Sequence, residues 1–367
     1  MPVGRFFLRL VDLLPLPSLR VQRLIAAAVI LTQAGISVTG SIVRVTSSGL
    51  GCPTWPQCFP GSFTPVPHAE VPRIHQAVEF GNRLITFLVV ITAILAVLAV
   101  TRARRRREVL VYAWLMPAST VLQAVIGGIT VLTGLLWWTV AVHLLVSMAM
   151  VWLATVLYVK IGQPDDGIPT PVVPKPLRHL TLLSALALSA TLVTGTTVTG
   201  AGPHAGDKSP QRIVPRLEVE IITLVHAHST FLFIYLSLLV GLGAGLFAVY
   251  APRSIMRRLL VLVLLVMAQG LLGAVQFFTG VPAVLVAFHV AGAAACAAAD
   301  VPVQDFVSNN AVPCGSTIGP MTAERLGLVM CDVGIPLLSM HSARELAGVA
   351  DQEWFARALG VFFAEAD

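Results

Sequence analysis

The sequence predicts an all-α polytopic membrane protein of eight transmembrane helices, built as two parallel four-helix repeats and followed by a short C-terminal stretch of different character. Three observations predict it. Of the 367 residues, 56% are hydrophobic and 11% charged, with a mean hydropathy of +0.84, which lies far outside the soluble globular range. Apolar runs of about 20 residues, the length needed to cross hydrocarbon at 1.5 Å rise per residue, recur along the chain. The last four runs echo the first four.

The runs occupy residues 24–43, 78–100, 109–132, 135–159, 180–198, 221–249, 259–278 and 281–299. The last is near the lower length limit for a crossing and is weakly hydrophobic, with Gly292, Ala293 to Ala295 and Ala297 to Ala299. The +6 net charge does not point to nucleic acid, because the basic residues cluster beside run ends. Arg5, Arg9, Arg20 and Arg23 precede the first run; Arg102 and Arg104 to Arg107 follow the second. Lys160, Lys175 and Arg178 lie between the fourth and fifth, and Arg253, Arg257 and Arg258 follow the sixth. If every run crosses once, all four groups share one side, so both termini are expected in the cytoplasm and the protein in the cell membrane. The first run is too long for a removed signal peptide and lacks a small-residue cleavage site. The expected division is 1–23 cytoplasmic, 24–160 first half, 161–179 linker, 180–299 second half and 300–367 a separate fragment.

The repeat is explicit in the third and fourth runs. Gln123, Gly127, Thr133, Gly134 and His143 match Gln269, Gly273, Thr279, Gly280 and His289, each 146 positions on (289 − 143). Thr86-Phe87-Leu88 matches Thr230-Phe231-Leu232 at an offset of 144, which sets Asn82 opposite His226. Val38-Thr39-Gly40 echoes Val193-Thr194-Gly195.

Five of the nine histidines, His75, His143, His226, His228 and His289, fall within or at the edge of the even-numbered runs. An imidazole in lipid is costly without a partner, so each is a functional candidate. Two histidines on facing helices at similar depth can supply both axial ligands of a haem. His226 and His289 make that pair in the second half. His228, two residues from His226 and so about 200° round the helix, is expected to pack or face a loop. In the first half His143 remains, while His75, Glu79 and Asn82 share one helix face. Glu79 and Arg83 could form a plain interfacial ion pair, or Glu79 could serve substrate oxidation with His75 or Asn82 flanking a substrate macrocycle.

Cys52 and Cys58 sit six positions apart in a Pro-rich loop on the oxidising side, which favours a disulfide. A structural staple and a redox role both remain open.

Ser47-Ser48-Gly49-Leu50, the Cys52–Cys58 loop, Glu79-Phe80-Gly81-Asn82-Arg83, His143, Thr199-Gly200-Ala201-Gly202-Pro203-His204-Ala205-Gly206-Asp207, His226 and His289 together resemble bacterial haem A synthase over residues 20–295. The resemblance implies oxidation of the methyl group of haem O to the formyl group of haem A, for cytochrome oxidase, with a resident haem b. Carried over, His226 and His289 ligate haem b, Glu79 and His143 belong to the haem O site, and Cys52 pairs with Cys58. It also implies haem O synthase and oxidase assembly factors as partners, with self-association open. Asn82 departs from the pattern, since the family commonly has a histidine there. Either His75 takes that role, or His143 alone holds the substrate iron and leaves a position open. A membrane b-type cytochrome for electron transfer, or an inactive fusion carrying the C-terminal fragment, is the alternative reading.

Near Ala299 the composition turns polar. Phe306-Val307-Ser308-Asn309-Asn310, Pro313-Cys314-Gly315-Ser316-Thr317-Ile318-Gly319-Pro320, Asp332-Val333-Gly334-Ile335-Pro336 and Leu338-Ser339-Met340-His341-Ser342 resemble the C-terminal end of M18 zinc aspartyl aminopeptidases. A short α/β fragment is implied, with His341 as a vestigial zinc ligand. One histidine cannot hold a catalytic zinc, which takes three protein ligands, so no peptidase activity is expected.

Overall fold

The computed structural model describes residues 2–166, 173–209 and 212–299, together with 337–338 and 346–347. Its helices are α1 (Pro2–Asp12), α2 (Leu19–Val45), α3 (Arg73–Arg102), α4 (Arg107–Leu132), α5 (Trp137–Ile161), α6 (Lys175–Ala201), α7 (Ile221–Ala248), α8 (Arg253–Phe278) and α9 (Ala283–Ala299). Seven of them, α2 to α8, are long and apolar enough to cross a membrane, which makes this a polytopic membrane protein. The eighth run forms a 17-residue apolar helix, α9, about 25 Å long at 1.5 Å per residue. It starts later than the run because Gly280 and Val281 take left-handed backbone at φ 79° and 60°. α1 was not expected. It is held beside α3 and α4 by the Asp12–Arg104 ion pair at 2.7 Å and by Phe7 against Trp114.

α2, α3, α4 and α5 pack in a closed ring, each on its two neighbours, so α3 and α5 face each other diagonally. Ala26, Val29, Ala93, Val97, Met116 and Leu157 fill its centre toward the basic end. Small side chains there let the backbones approach, which matters where lipid offers little hydrophobic drive to association. In the second half α6, α7, α8 and α9 pack in chain order. α9, however, lies against α2 and α5 of the first half, and α6 against α5. His289 is thus positioned partly by the other repeat.

The arginines of the α3–α4 turn do more than mark topology. Buried Arg105 donates to the carbonyls of Ile161 and Gln163 and pairs with Asp165 at 2.7 Å, while Arg106 reaches the Lys160 carbonyl. Both satisfy open carbonyls at the α5 C-terminus, where the helix dipole favours cations.

The turns confirm the duplication. Gly134 and Leu135 take left-handed backbone as Gly280 and Val281 do, with matching hydrogen bonds from Leu135 N to Thr130 O and from Val281 N to Gln276 O. Arg104 (φ 53°) and Tyr250 (φ 52°) end α3 and α7 in the same way, again 146 positions apart (250 − 104). The register between α3 and α7 is therefore 146, and the 144 offset is corrected: Asn82 corresponds to His228. Three adjacent apolar or β-branched residues recur too easily in lipid-facing helices to fix a register.

Residues 1–307 and 308–367 form separate compact units. In the second, β1 (Leu337–Leu338) pairs antiparallel with β2 (Leu346–Ala347), Leu337 opposite Ala347. His341 lies outside the described residues.

Candidate functional site: paired histidines of the second half

The ring centroids of His228 on α7 and His289 on α9 lie 6.4 Å apart at an interplanar angle of 66°. Two imidazoles sharing one metal, each nitrogen about 2 Å from it and each ring centre about 1 Å further back, have centroids about 6 Å apart. His228 Nδ1 lies 2.9 Å from the Thr191 carbonyl, which can only accept, so Nδ1 carries the proton and Nε2 is left as a metal donor. His226 is exposed on α7, and no side-chain hydrogen bond holds its ring among the described residues. The structure therefore brings His228, not His226, to His289. The two-residue change turns the side chain about 200° from one face of the helix to the other.

His289 is braced as its counterpart is. A Cβ on Gly273 would lie 3.0 Å from its Cε1, a tight contact that glycine avoids at this height of α8, and Gln269 Nε2 donates to the His289 carbonyl. In the first half Gly127 sits under His143, and Gln123 Nε2 bonds the His143 carbonyl at 3.2 Å and Ser147 Oγ at 2.6 Å. The recurring Gln and Gly thus position the two histidines. Nδ1 of both His143 and His289 is buried without a hydrogen-bond partner. Each orphaned donor set fits a site built to receive a ligand.

The other first-half candidates have partners of their own. Asn82 Oδ1 accepts from Thr39 Oγ1 at 2.7 Å, as Thr194 Oγ1 lies 3.4 Å from His228 Nδ1, which places Asn82 where His228 stands in the second half. His75 Nδ1 meets Ser48 Oγ at 2.9 Å, and buried Glu79 pairs with Arg83 at 3.2 Å. No hydrogen bond joins any of them to His143 among the described residues.

Arg83 also donates to the carbonyls of Cys52, Thr54 and Gln57, contacts the sequence did not reveal. The Cys52–Cys58 disulfide is formed, and both residues are fully buried with Phe59 and Val71. Trp55 from the same loop seats on Gly128 of α4, where a Cβ would run into the indole. The loop is thereby docked over the first-half ring and tied to Glu79 through one guanidinium.

The loop after α6 crosses to α2. Gly49 N bonds Gly206 O at 2.8 Å, and Ser48 bridges Asp207. Arg44 donates to the Thr199 and His204 carbonyls, and Arg216 donates to the same Thr199 oxygen and to Gly202. Burial lowers the Arg216 guanidinium below its ordinary value.

A family model described as a cytochrome oxidase assembly protein matches residues 23–206, from α2 through the loop after α6. A second, described as aminopeptidase I zinc metalloprotease (M18), matches residues 286–363. Its first residues overlap α9, whose His289 nevertheless meets Gln269 and Gly273 of α8 as His143 meets Gln123 and Gly127 in the first half. A protein named probable M18 family aminopeptidase 2 from Streptomyces coelicolor is 59% identical over 70 residues, covering 19% of this chain and 16% of that protein. The counterpart from Streptomyces avermitilis is 56% identical over 70 residues with the same coverage, and that from Stutzerimonas stutzeri 47% over 72 residues, 20% and 17%. The chain thus spans about a sixth of the length of these relatives. The two family models thus match separate parts of the chain.

Proposed function

Because this chain belongs to the cytochrome oxidase assembly protein family, we propose that it is a haem A synthase, oxidising the methyl group of haem O to the formyl group of haem A. The observation that carries the reading is the His228–His289 pair, whose centroid separation suits two axial ligands of one iron. His228 and His289 are the residues to hold haem b, in place of the His226 and His289 pair expected from sequence. When bound, haem b supplies one-electron transfer.

The first half takes the substrate. His143 is the imidazole available to the iron of haem O, and Asn82, matched in register to His228, leaves the opposite side without a strong ligand. An open position suits turnover better than two tight ligands. Glu79, held by Arg83 beneath the disulfide loop, is placed to handle a proton near the reacting edge. α9 completes an eight-helix membrane domain with cytoplasmic termini, and oxidase assembly proteins are its natural partners. The C-terminal fragment adds no peptidase: the 70 or so shared residues are a small part of an M18 enzyme, and His341 alone cannot make a zinc site.

The test is haem extraction from membranes of cells supplied with haem O, together with low-spin spectra of purified variants. Formation of haem A by the wild type, with loss of the low-spin spectrum in His228→Ala and its retention in His226→Ala, is expected. Absence of haem A would leave the b-type cytochrome reading; loss in His226→Ala but not His228→Ala would overturn the ligand pair.

A further inference from the structure

Two arginines meet at one oxygen near the loop end of α6. Arg44 Nη2 lies 2.9 Å and Arg216 Nη2 3.0 Å from the Thr199 carbonyl, so two full positive charges stand side by side. Neither makes an ion pair among the described residues. Arg216 Nη1 is buried with no hydrogen-bond partner.

Capping α6 accounts for part of this, since a helix C-terminus attracts cations. The macrodipole, however, offers only about half a negative charge, against two guanidiniums. More than one positive charge is left without a counterion in a half-buried setting, where desolvation makes an unpaired charge expensive. A guanidinium fork with a free N–H is the group that best matches a carboxylate.

The location identifies the carboxylate. Thr199 lies five residues beyond Thr194, which touches His228, so the arginines sit about 7.5 Å further along α6 than the histidine pair. A macrocycle held between His228 and His289 would carry its peripheral groups toward that level. We propose that Arg44 and Arg216 clamp the propionate carboxylates of the haem held by His228 and His289, with Arg216 Nη1 as the donor reserved for them. The proposal rests on the haem-binding reading above.

The test uses the full chain produced in haem-deficient cells and titrated in detergent with haemin or with haemin dimethyl ester, read by the low-spin spectrum. A charge-assisted hydrogen bond predicts that the wild type binds the free acid roughly 10- to 100-fold more tightly than the diester. Arg216→Gln should erase that preference while leaving diester binding within about twofold of wild type, and Arg216→Lys should restore part of it. Equal losses for both ligands would make Arg216 a structural cap and overturn the clamp. So would a preference that survives in both Arg216→Gln and Arg44→Gln. If the variants show no ester effect and instead lose co-purifying phospholipid phosphate, the pair binds a lipid headgroup and the clamp is refuted. A wild type that forms a low-spin complex with neither ligand would overturn the haem reading as well, which separates the two failures.

Discussion

Replacing Gly273 by alanine should disturb the haem of the second half in a way that a purely sequence-based comparison with Gly127 would not anticipate. The added Cβ lies 3.0 Å from His289 Cε1, against 3.3 Å between a Cβ at Gly127 and His143 Cε1. Carbon–carbon contacts relax at about 3.5–4.0 Å, so each ring must give by about a few tenths of an ångström, the His289 ring by more than that of His143. His289 cannot drift freely, because its carbonyl is held by Gln269 and its helix lies against α2 and α5. Overpacking of this kind costs about 1–3 kcal/mol, which corresponds to haem retention weaker by about 5- to 150-fold. Haem b per protein, measured as the pyridine haemochrome, reads the loss. The low-spin signal of the ferric protein by electron paramagnetic resonance reads the change in axial geometry. Gly273→Ala should change both, and Gly127→Ala should leave the resident haem nearly unaltered. A Gly273→Ala protein with full haem content and an unchanged low-spin signal would refute the idea that this glycine seats a ligand.

Two other outcomes follow from the same packing. Arg83→Gln removes the donor that holds the carbonyls of Cys52, Thr54 and Gln57 and leaves buried Glu79 unpaired, a change of about 3–5 kcal/mol for a broken buried ion pair. Haem A yield in membranes should fall at least about tenfold while resident haem b persists; an undiminished yield would uncouple the disulfide loop from the chemistry. The purified chain should carry no stoichiometric zinc by metal analysis and should not hydrolyse peptides with N-terminal aspartate, and turnover of such a peptide would show that the C-terminal fragment assembles a site from residues other than His341.

Much of the architecture was legible because lipid imposes it. Every backbone polar group in hydrocarbon must be satisfied within its own helix, so composition and run length alone place most of the spans. The recurrence of Gln, Gly, Thr-Gly and His at one spacing was legible too, and the structure shows what it does locally: the Gln bonds the histidine's carbonyl, the Gly lies against its ring and the Thr-Gly turn reverses the chain. His228 was misread. Its helix is apolar on most sides, so composition could not choose between two histidines two residues apart, and the short Thr-Phe-Leu echo set Asn82 opposite His226 rather than His228. A single register of 146 carried through all of α3 and α7 would have selected His228.

What the sequence alone determined is the membrane class, the duplication, the Cys52–Cys58 pairing and the abrupt change near Ala299. These rest on local composition and on spacing along one chain. Only the tertiary structure decided which side of α7 faces α9, how Arg83 ties the loop to Glu79, and that Arg44 and Arg216, 172 positions apart (216 − 44), meet at one carbonyl. Such contacts depend on helix rotation and on crossings between helices distant in sequence, to which the period of a hydrophobic run surrounded by lipid is indifferent.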